Sequence, residues 1–279
     1  MEESSPDDLF AAEIESDGQR CQLFHFDETD HIFRIVRDSR KFYEHELLVS
    51  LRPYLNRDDH VIDVGANIGN HSVYWGALCG CRVTAFEPNP IAYRLLGLNV
   101  EHNHLSSRVE LRHMALGDQS GLGEIDASKS EHNLGAARVK QMPRGSVRIE
   151  RLDDALPYAH PSLIKIDVEG MELEILHGAQ RMIKRARPIL CIEASTSTAY
   201  EKVLEFLSAR CFLPIEVHNF TPTHTFVPAR GWAAFRVIRS LAAQSSRNYV
   251  YSAERLDQLT SRIDHLQARL ALLEEQVKE

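Results

Sequence analysis

No run of this 279-residue chain approaches the ~18 consecutive apolar residues that a membrane-spanning helix needs. Positive charge is in deficit: 32 Lys and Arg against 40 Asp and Glu leave a net charge of −8. That balance argues against a dedicated nucleic-acid binder, whose affinity comes largely from neutralising phosphates, and against attachment to an anionic membrane surface. The opening MEESSPDDLF lacks the basic, apolar and small-residue order of a secretory signal. A cytoplasmic protein is therefore expected. Cysteine is scarce, with five residues, and Cys79, Cys81, Cys191 and Cys211 lie in or beside apolar segments. Reduced, buried thiols are expected. Cys79-Gly80-Cys81 has no second pair to complete a zinc site, and no resident metal is expected.

What remains is ordinary globular material. Hydrophobic residues make up 43% and charged residues 26%, and the length suits one or two domains. Residues 1–20 are polar and acidic. CQLFHFD (21–27) and HIFRIV (31–36) then alternate like two strands of a hairpin around Glu28-Thr29-Asp30. Residues 1–40 thus read as a lead-in with a hairpin. A helix follows, with Phe42, Leu47, Leu48, Leu51 and Leu55 at helical spacing. From residue 60, short apolar runs (60–65, 81–87, 108–116, 163–168, 189–194) alternate with helical ones (69–79, 90–103, 171–186, 199–210). That alternation predicts an α/β fold with a parallel sheet covered on both faces. FLPIEVHN (212–219) and THTFVP (223–228) are close enough to form an antiparallel hairpin at the sheet edge.

The strongest chemical signal is VIDVGANIGNHSVYW (61–75), an apolar strand running through Gly65-Ala66-Asn67-Ile68-Gly69 into a helix. Glycines there let the backbone turn tightly and a ligand approach. Glu87 follows Gly65 by 22 positions, at the end of the next strand, where an acid meets the ribose hydroxyls of an adenosine ligand. A dinucleotide fingerprint needs glycines at three places that here hold Gly65, Asn67 and Asn70. Asp63 at the strand end repels a pyrophosphate but suits an ammonium. The pattern favours an adenosine carrying an amino-acid tail, which is S-adenosylmethionine.

These residues, with YEHELL (43–48), AFEPNP (85–90), ALGD (115–118), RLDD (151–154), KIDVEGMELEILHGA (165–179) and IEAS (192–195), resemble the FkbM family of class I S-adenosylmethionine-dependent methyltransferases. The resemblance covers about residues 40–228. It implies a Rossmann-like sheet of order 3-2-1-4-5-7-6 with strand 7 antiparallel, and a methyltransferase domain over 41–229. It implies that Asp63, Gly65, Asn67 and Gly69 cradle the methionine part, that Glu87 holds the ribose, and that Asn70 and His71 sit beside the sulfonium. Ala115 to Asp118 would border the adenine. Members of the family methylate hydroxyls of polyketides, sugars and surface polysaccharides.

An O-methyltransferase must align a hydroxyl and remove its proton. Asp167, Glu169 and Glu193 stand at the ends of two expected strands. Asp167 and Glu169, two apart, face the same way if the segment is extended. Asp167 is expected to face the methyl group, with Glu169, Glu193 or His71 as base or substrate anchor. His132 and Asn133, in the stretch KSEHNLGAAR (129–138), are candidate substrate contacts. A connector over 230–252 precedes a tail, 253–279, in which Leu256, Leu259, Ile263, Leu266, Leu270, Leu273 and Val277 keep an unbroken heptad spacing. A coiled coil and a homo-oligomer follow, and Arg269 and Glu274 beside the seam lean towards a trimer over a dimer. The reading is an O-methyltransferase on a sugar or polysaccharide hydroxyl. The alternatives are an NAD-dependent oxidoreductase and an inactive methyltransferase-like assembly protein.

Overall fold

The structure is a computed structural model that describes residues 9–126 and 138–229. The chain divides into Met1–Ala234 and Phe235–Glu279. The connector and heptad segment expected over 230–279, and the loop residues His132 and Asn133, lie outside the described residues.

A hairpin opens the fold, although not at the expected place. β1 (Phe10–Ser16) and β2 (Gln19–His25) pair antiparallel, from Phe10↔His25 to Ser16↔Gln19. Asp17 and Gly18 make the turn at φ of 52° and 74°, the two-residue geometry that Asp-Gly adopts readily. Residues 31–36 are not the second strand but the start of a helix, α1 (His31–Ser39). Asp30 is the reason: its carboxylate accepts from the N–H groups of Ile32 and Phe33 at 3.0 and 3.1 Å, which caps the helix. Phe33 and Val36, three apart, form its buried face.

α2 (His45–Leu51) ends in a 3-10 turn at Arg52–Tyr54, where Pro53 interrupts it. Then come β3 (His60–Val64), α3 (Asn70–Ala77), β4 (Arg82–Phe86), α4 (Pro90–His102) and β5 (Val109–Arg112). Four short strands follow: β6 (Ala115–Leu116), β7 (Gly121–Asp126), β8 (Arg138–Gln141) and β9 (Val147–Glu150). The alternation resumes with α5 (Leu152–Ala155), β10 (Leu163–Ile166), α6 (Glu172–Gly178), α7 (Gln180–Ala186), β11 (Ile189–Glu193) and α8 (Ser197–Ser208). β12 (Phe212–His218) and β13 (Thr223–Pro228) end the described chain.

The main sheet has seven strands in the order β12-β13-β11-β10-β3-β4-β5. β11, β10, β3, β4 and β5 pair parallel, and β13 runs antiparallel to both its neighbours. The inner strands read as continuous apolar runs because both faces are covered: on one face Ile62, Val64, Ile164, Ile166, Leu190 and Ile192 share a core with helix residues such as Leu176, Ile183 and Leu207, and on the other Val61, Leu163, Ile189 and Cys191 are buried as well. One strand expected over 108–116 is in fact two. The Met114 N–H bonds to Arg112 O at 3.0 Å, and beyond that kink β6 leaves to join a second sheet, β6-β9-β7-β8. That sheet is small and two-sided, and its strands carry too few apolar residues to announce themselves.

All five cysteines are free. Cys21, Cys81 and Cys191 are buried, but Cys79 is half-buried and Cys211 is exposed. Cys211 sits at φ 57° in the turn that leaves α8. Among the described residues no helix is long and apolar enough to cross a membrane.

Candidate active site

A cavity of about 580 Å³ opens beyond the carboxyl ends of β3, β4, β10 and β11. Residues 64–68 and 86–89 form its floor. Backbone hydrogen bonds fasten the turn after β3 to the end of β4. The N–H groups of Gly65 and Ala66 both donate to Phe86 O at 3.0 Å. A Cβ on Gly65 would lie 1.8 Å from Asp167 O, and one on Gly69 would lie 2.7 Å from Leu96 Cδ1. These glycines therefore let chain segments interlock, in addition to turning at φ of 76° and 90°. Asn99, fully buried on α4, donates to Ile68 O at 2.7 Å and ties the turn to that helix.

Glu87 is buried in the floor. Its Oε2 accepts from Asn67 N–H at 2.8 Å and its Oε1 from Asn89 N–H at 2.7 Å. Burial pushes its carboxyl up to about 7, against the pull of those two donors. Asn89 also caps α4, accepting from Ile91 N–H at 2.9 Å, and Pro90 fills the first helical position.

A chain of charges runs from the sheet to the cavity. Lys165, in the middle of β10, pairs in register with Asp63 of β3. Its Nζ lies 3.6 Å from Asp63 Oδ1 and 3.1 Å from Asp167 Oδ2, and donates to Gly65 O at 3.0 Å. Burial alone lowers a lysine pKa, but Asp167, Asp63 and Glu44 outweigh it and the net shift is upward. Asp167 feels the opposite balance. Burial raises it, while the Lys165 ammonium and a hydrogen bond with Glu193 bring it below its ordinary value. Glu193 is pushed up to about 10, by burial first and then by the Asp167 charge and the shared hydrogen bond. Within this pair the negative charge favours Asp167, the carboxyl beside the Lys165 ammonium. In the same wall, His71 Nε2 lies 3.2 Å from Glu44 Oε2. Met114, Ala115, Leu116, Ile125 and Val139 form an apolar side, and Asn219, Phe220 and Thr221 of the β12–β13 turn stand at the rim.

Residues 63–227 match the Methyltransferase FkbM domain family. The chain belongs to that family and is a methyltransferase. It is 28% identical over 214 residues to the hexuronic acid methyltransferase AglP of Haloferax volcanii, across 74% of this chain and 84% of the relative. It is 29% identical over 188 residues to the 31-O-demethyl-FK506 methyltransferase FkbM of Streptomyces tacrolimicus, across 55% of this chain and 69% of the relative. A crystal structure described as methyltransferase FkbM from Methylobacillus flagellatus KT is similar at TM-score 0.48 and 20% identity, over 61% of this chain and 43% of that one.

Within this FkbM methyltransferase, the cavity brings together Gly65, Asn67, Asn70, His71, Glu87, Ala115, Asp167, Glu169 and Glu193. Three expected residues stand apart. Asp63 is wholly enclosed: its Oδ2 accepts from Ser72 Oγ at 2.7 Å and it reaches the cavity only through Lys165. Gly69 lies behind the floor, against Leu96. Asp118 is exposed and outside the cavity, because the chain turns away after β6. The segment after β10 is not extended either: Glu169 and Gly170 take φ of 58° and 108°. Glu169 nonetheless lines the cavity. Glu172 is buried and accepts from Gly170 N–H at 2.8 Å, a helix-start contact. Residue reasoning missed Glu44, Tyr43, Phe220 and the reach of Lys165. A lysine inside the apolar run LIKI was the available signal for the last.

The donors and acceptors present fit an adenosine with an amino-acid tail. Asn67 Oδ1 is buried in the floor without a donor among the described residues, which leaves an acceptor for a ligand hydroxyl or amine. Glu87 keeps a lone pair on each oxygen beyond the backbone bonds it accepts. Among the described residues there is no cluster of three or more His, Cys, Asp or Glu suited to a metal ion.

Proposed function

We propose that this methyltransferase uses S-adenosylmethionine and methylates a hydroxyl of a sugar or polysaccharide. One observation carries the reading: a buried carboxylate, Glu87, sits beside the Gly65–Gly69 turn in the wall of a single cavity. Two ribose hydroxyls are the donors such a carboxylate suits. S-adenosylmethionine, when bound, supplies an electrophilic methyl carbon on a sulfonium.

The chain's own residues do the rest. Glu87 and Asn67 hold the ribose, and Met114, Ala115 and Leu116 take the adenine edge. Asp167, kept anionic by Lys165, receives the ammonium and sets a negative potential beside the cationic sulfur. Glu193 anchors the acceptor, with Glu169 beside it. His71 stands ready to take the hydroxyl proton. The saccharide part of the reading draws on the relative named as a hexuronic acid methyltransferase. It gains support from Phe220, an aromatic face at the rim that suits the C–H face of a sugar ring. The heptad positions of 253–279 add a self-associating tail to this reading. A chain ending at residue 252 is then expected to sediment as a monomer while the full chain does not.

The test has two arms. Calorimetric titration with S-adenosylhomocysteine should show saturable binding, and no binding defeats the cofactor assignment. Mass spectrometry of saccharides from cells with and without the protein should show a methyl group lost in its absence. Cofactor binding with an unchanged saccharide profile defeats the acceptor class.

A further inference from the structure

We propose that Glu44 is a positioning residue for His71, and that this pair takes the proton from the acceptor hydroxyl. The inference rests on the methyltransferase reading above and says how its base is built.

Three consecutive residues before α2 are pinned to α3. Phe42 packs edge-on against Tyr74, with ring centroids 5.3 Å apart. Tyr43 N–H donates to Asn70 Oδ1 at 2.9 Å, and Asn70 Nδ2 donates back to Tyr43 O at 3.0 Å. Glu44 then meets His71, with Oε2 at 3.2 Å from Nε2 and side chains only 13% and 7% exposed. Glu44 holds φ 56° and ψ 38°, a left-handed conformation that a non-glycine residue keeps only when its surroundings impose it. The two hydrogen bonds between Tyr43 and Asn70 fix the chain at that point. Trp75 backs the imidazole, with ring centroids 5.7 Å apart. Both Glu44 and His71 line the cavity.

The other candidates are already engaged. Glu87 accepts two backbone N–H groups. Asp167 is tied to Lys165 and shares a hydrogen bond with Glu193, so both carboxyls are engaged. His71 is different. A carboxylate at Nε2 favours the tautomer protonated there, which leaves the lone pair of a base on Nδ1. Among the described residues no hydrogen bond occupies Nδ1. The Nε2–H vector is not aligned with the carboxylate, and such bonds in ligand-free sites commonly tighten only in the complex. In the reaction the acceptor oxygen bonds the methyl carbon, and the sulfur keeps the electron pair of the carbon–sulfur bond that breaks. The hydroxyl proton passes to Nδ1. Glu44 stabilises the imidazolium until solvent takes that proton.

The decisive measurement is the histidine ring tautomer, read by long-range 1H–15N NMR on the full chain with S-adenosylhomocysteine bound. The signals of the 14 histidines are assigned by the set that His71→Asn removes. The expected result is a proton on Nε2 of His71, lost as a fixed tautomer in Glu44→Ala and restored in Glu44→Asp. Turnover on methyl β-D-glucopyranoside should fall about 10- to 100-fold in Glu44→Ala at nearly unchanged KM. S-adenosylhomocysteine affinity within threefold of the parent certifies the folded site. A wild-type His71 protonated on Nδ1 overturns the proposal without any variant. So does a tautomer indifferent to Glu44→Ala. Failure of the parent chain to bind S-adenosylhomocysteine is a separate result, which strikes the cofactor reading instead.

Discussion

The two walls of the cavity are built in different ways. The floor, 64–68 with 86–89, is made of two short runs of sequence and is held through its backbone N–H groups: Phe86 O takes two of them, and the Glu87 carboxylate takes two more. The opposite wall gathers residues from positions 43–44, 71, 165–169, 193 and 219–221. Side chains hold it, through charge and burial. A backbone-built wall tolerates little change in shape but much change in chemistry around it. A charge-built wall behaves the other way, because its parts depend on one another.

The largest break should come where the second wall is anchored. Lys165→Met fills the same space but leaves Asp63 buried without its cation, with only Ser72 Oγ on its other oxygen. Breaking one side of a buried pair costs about 3–5 kcal/mol. Denaturant unfolding should show that loss, and Asp63→Asn with Lys165→Met together should recover part of it. A loss under 1 kcal/mol would mean that Lys165 matters little to the fold.

The floor should fail on shape instead, in a graded series. Gly65→Ala drives a Cβ into Asp167 O, a backbone atom that cannot step aside. Overpacking plus an unfavourable φ predicts about 3 kcal/mol. Gly69→Ala meets the flexible end of Leu96 and should cost about 1–2 kcal/mol. Gly170→Ala meets nothing within 4 Å and should pay only for its φ, about 1 kcal/mol. Equal losses at the three sites, measured by thermal unfolding, would contradict the steric account.

Glu87 belongs to the floor by position and to the second wall by chemistry. Glu87→Ala removes charge-assisted hydrogen bonds and should weaken S-adenosylhomocysteine by about 1.5–3 kcal/mol, roughly 10- to 150-fold. Its protonation gives a second reading. The folded pKa of about 7 lies above the ordinary 4.5. Between those values the folded state binds more protons than the unfolded one, so stability falls as pH rises from 4.5 towards 7. The stability of the parent relative to Glu87→Ala should drop by at most about 3 kcal/mol across that window. Cofactor affinity should rise over the same range, as the carboxylate form accumulates. A pH-independent difference between the two proteins would refute the burial argument.

The same division governs how much a reader of the sequence can see. The strand–helix alternation from residue 60 is legible because each inner strand is covered on both faces and each helix has its own period. The Gly65–Gly69 turn and Glu87 are legible because local backbone demands fix them. Asp30 hid the nature of 31–36: apolar residues at 32, 33, 35 and 36 fit a helix as well as a strand, and only the cap decides. The second sheet is illegible because β6 spans two residues and finds its partner, β9, more than thirty positions away. Motifs that look chemical also turn out to be packing. Asp153 of RLDD accepts the N–H groups of Arg181 and Met182 at 2.8 and 2.7 Å, which starts α7. Gly178 of the HGA stretch is a glycine because a Cβ there would lie 2.0 Å from Gly117 O. Glu44 lay within the YEHELL stretch, but its role could not be read there, since it depends on His71, 27 positions later.

The smallest expected effect sharpens the contrast most. Phe220 is fully exposed at the rim, so Phe220→Ala should leave unfolding within about 0.5 kcal/mol of the parent. The floor should not notice it either, and S-adenosylhomocysteine affinity should stay within experimental error. Only the acceptor has reason to. On the scale of an aromatic pair, about 0.5–1.5 kcal/mol, loss of a ring stacked on the sugar should raise KM for a saccharide acceptor roughly two- to tenfold, with kcat little changed. Phe220→Tyr should keep the parent KM, because it keeps the ring. A KM equal in all three proteins would take the β12–β13 turn out of acceptor binding. A loss confined to kcat would instead place the ring in the chemistry, on the side of the wall that His71 and Asp167 share.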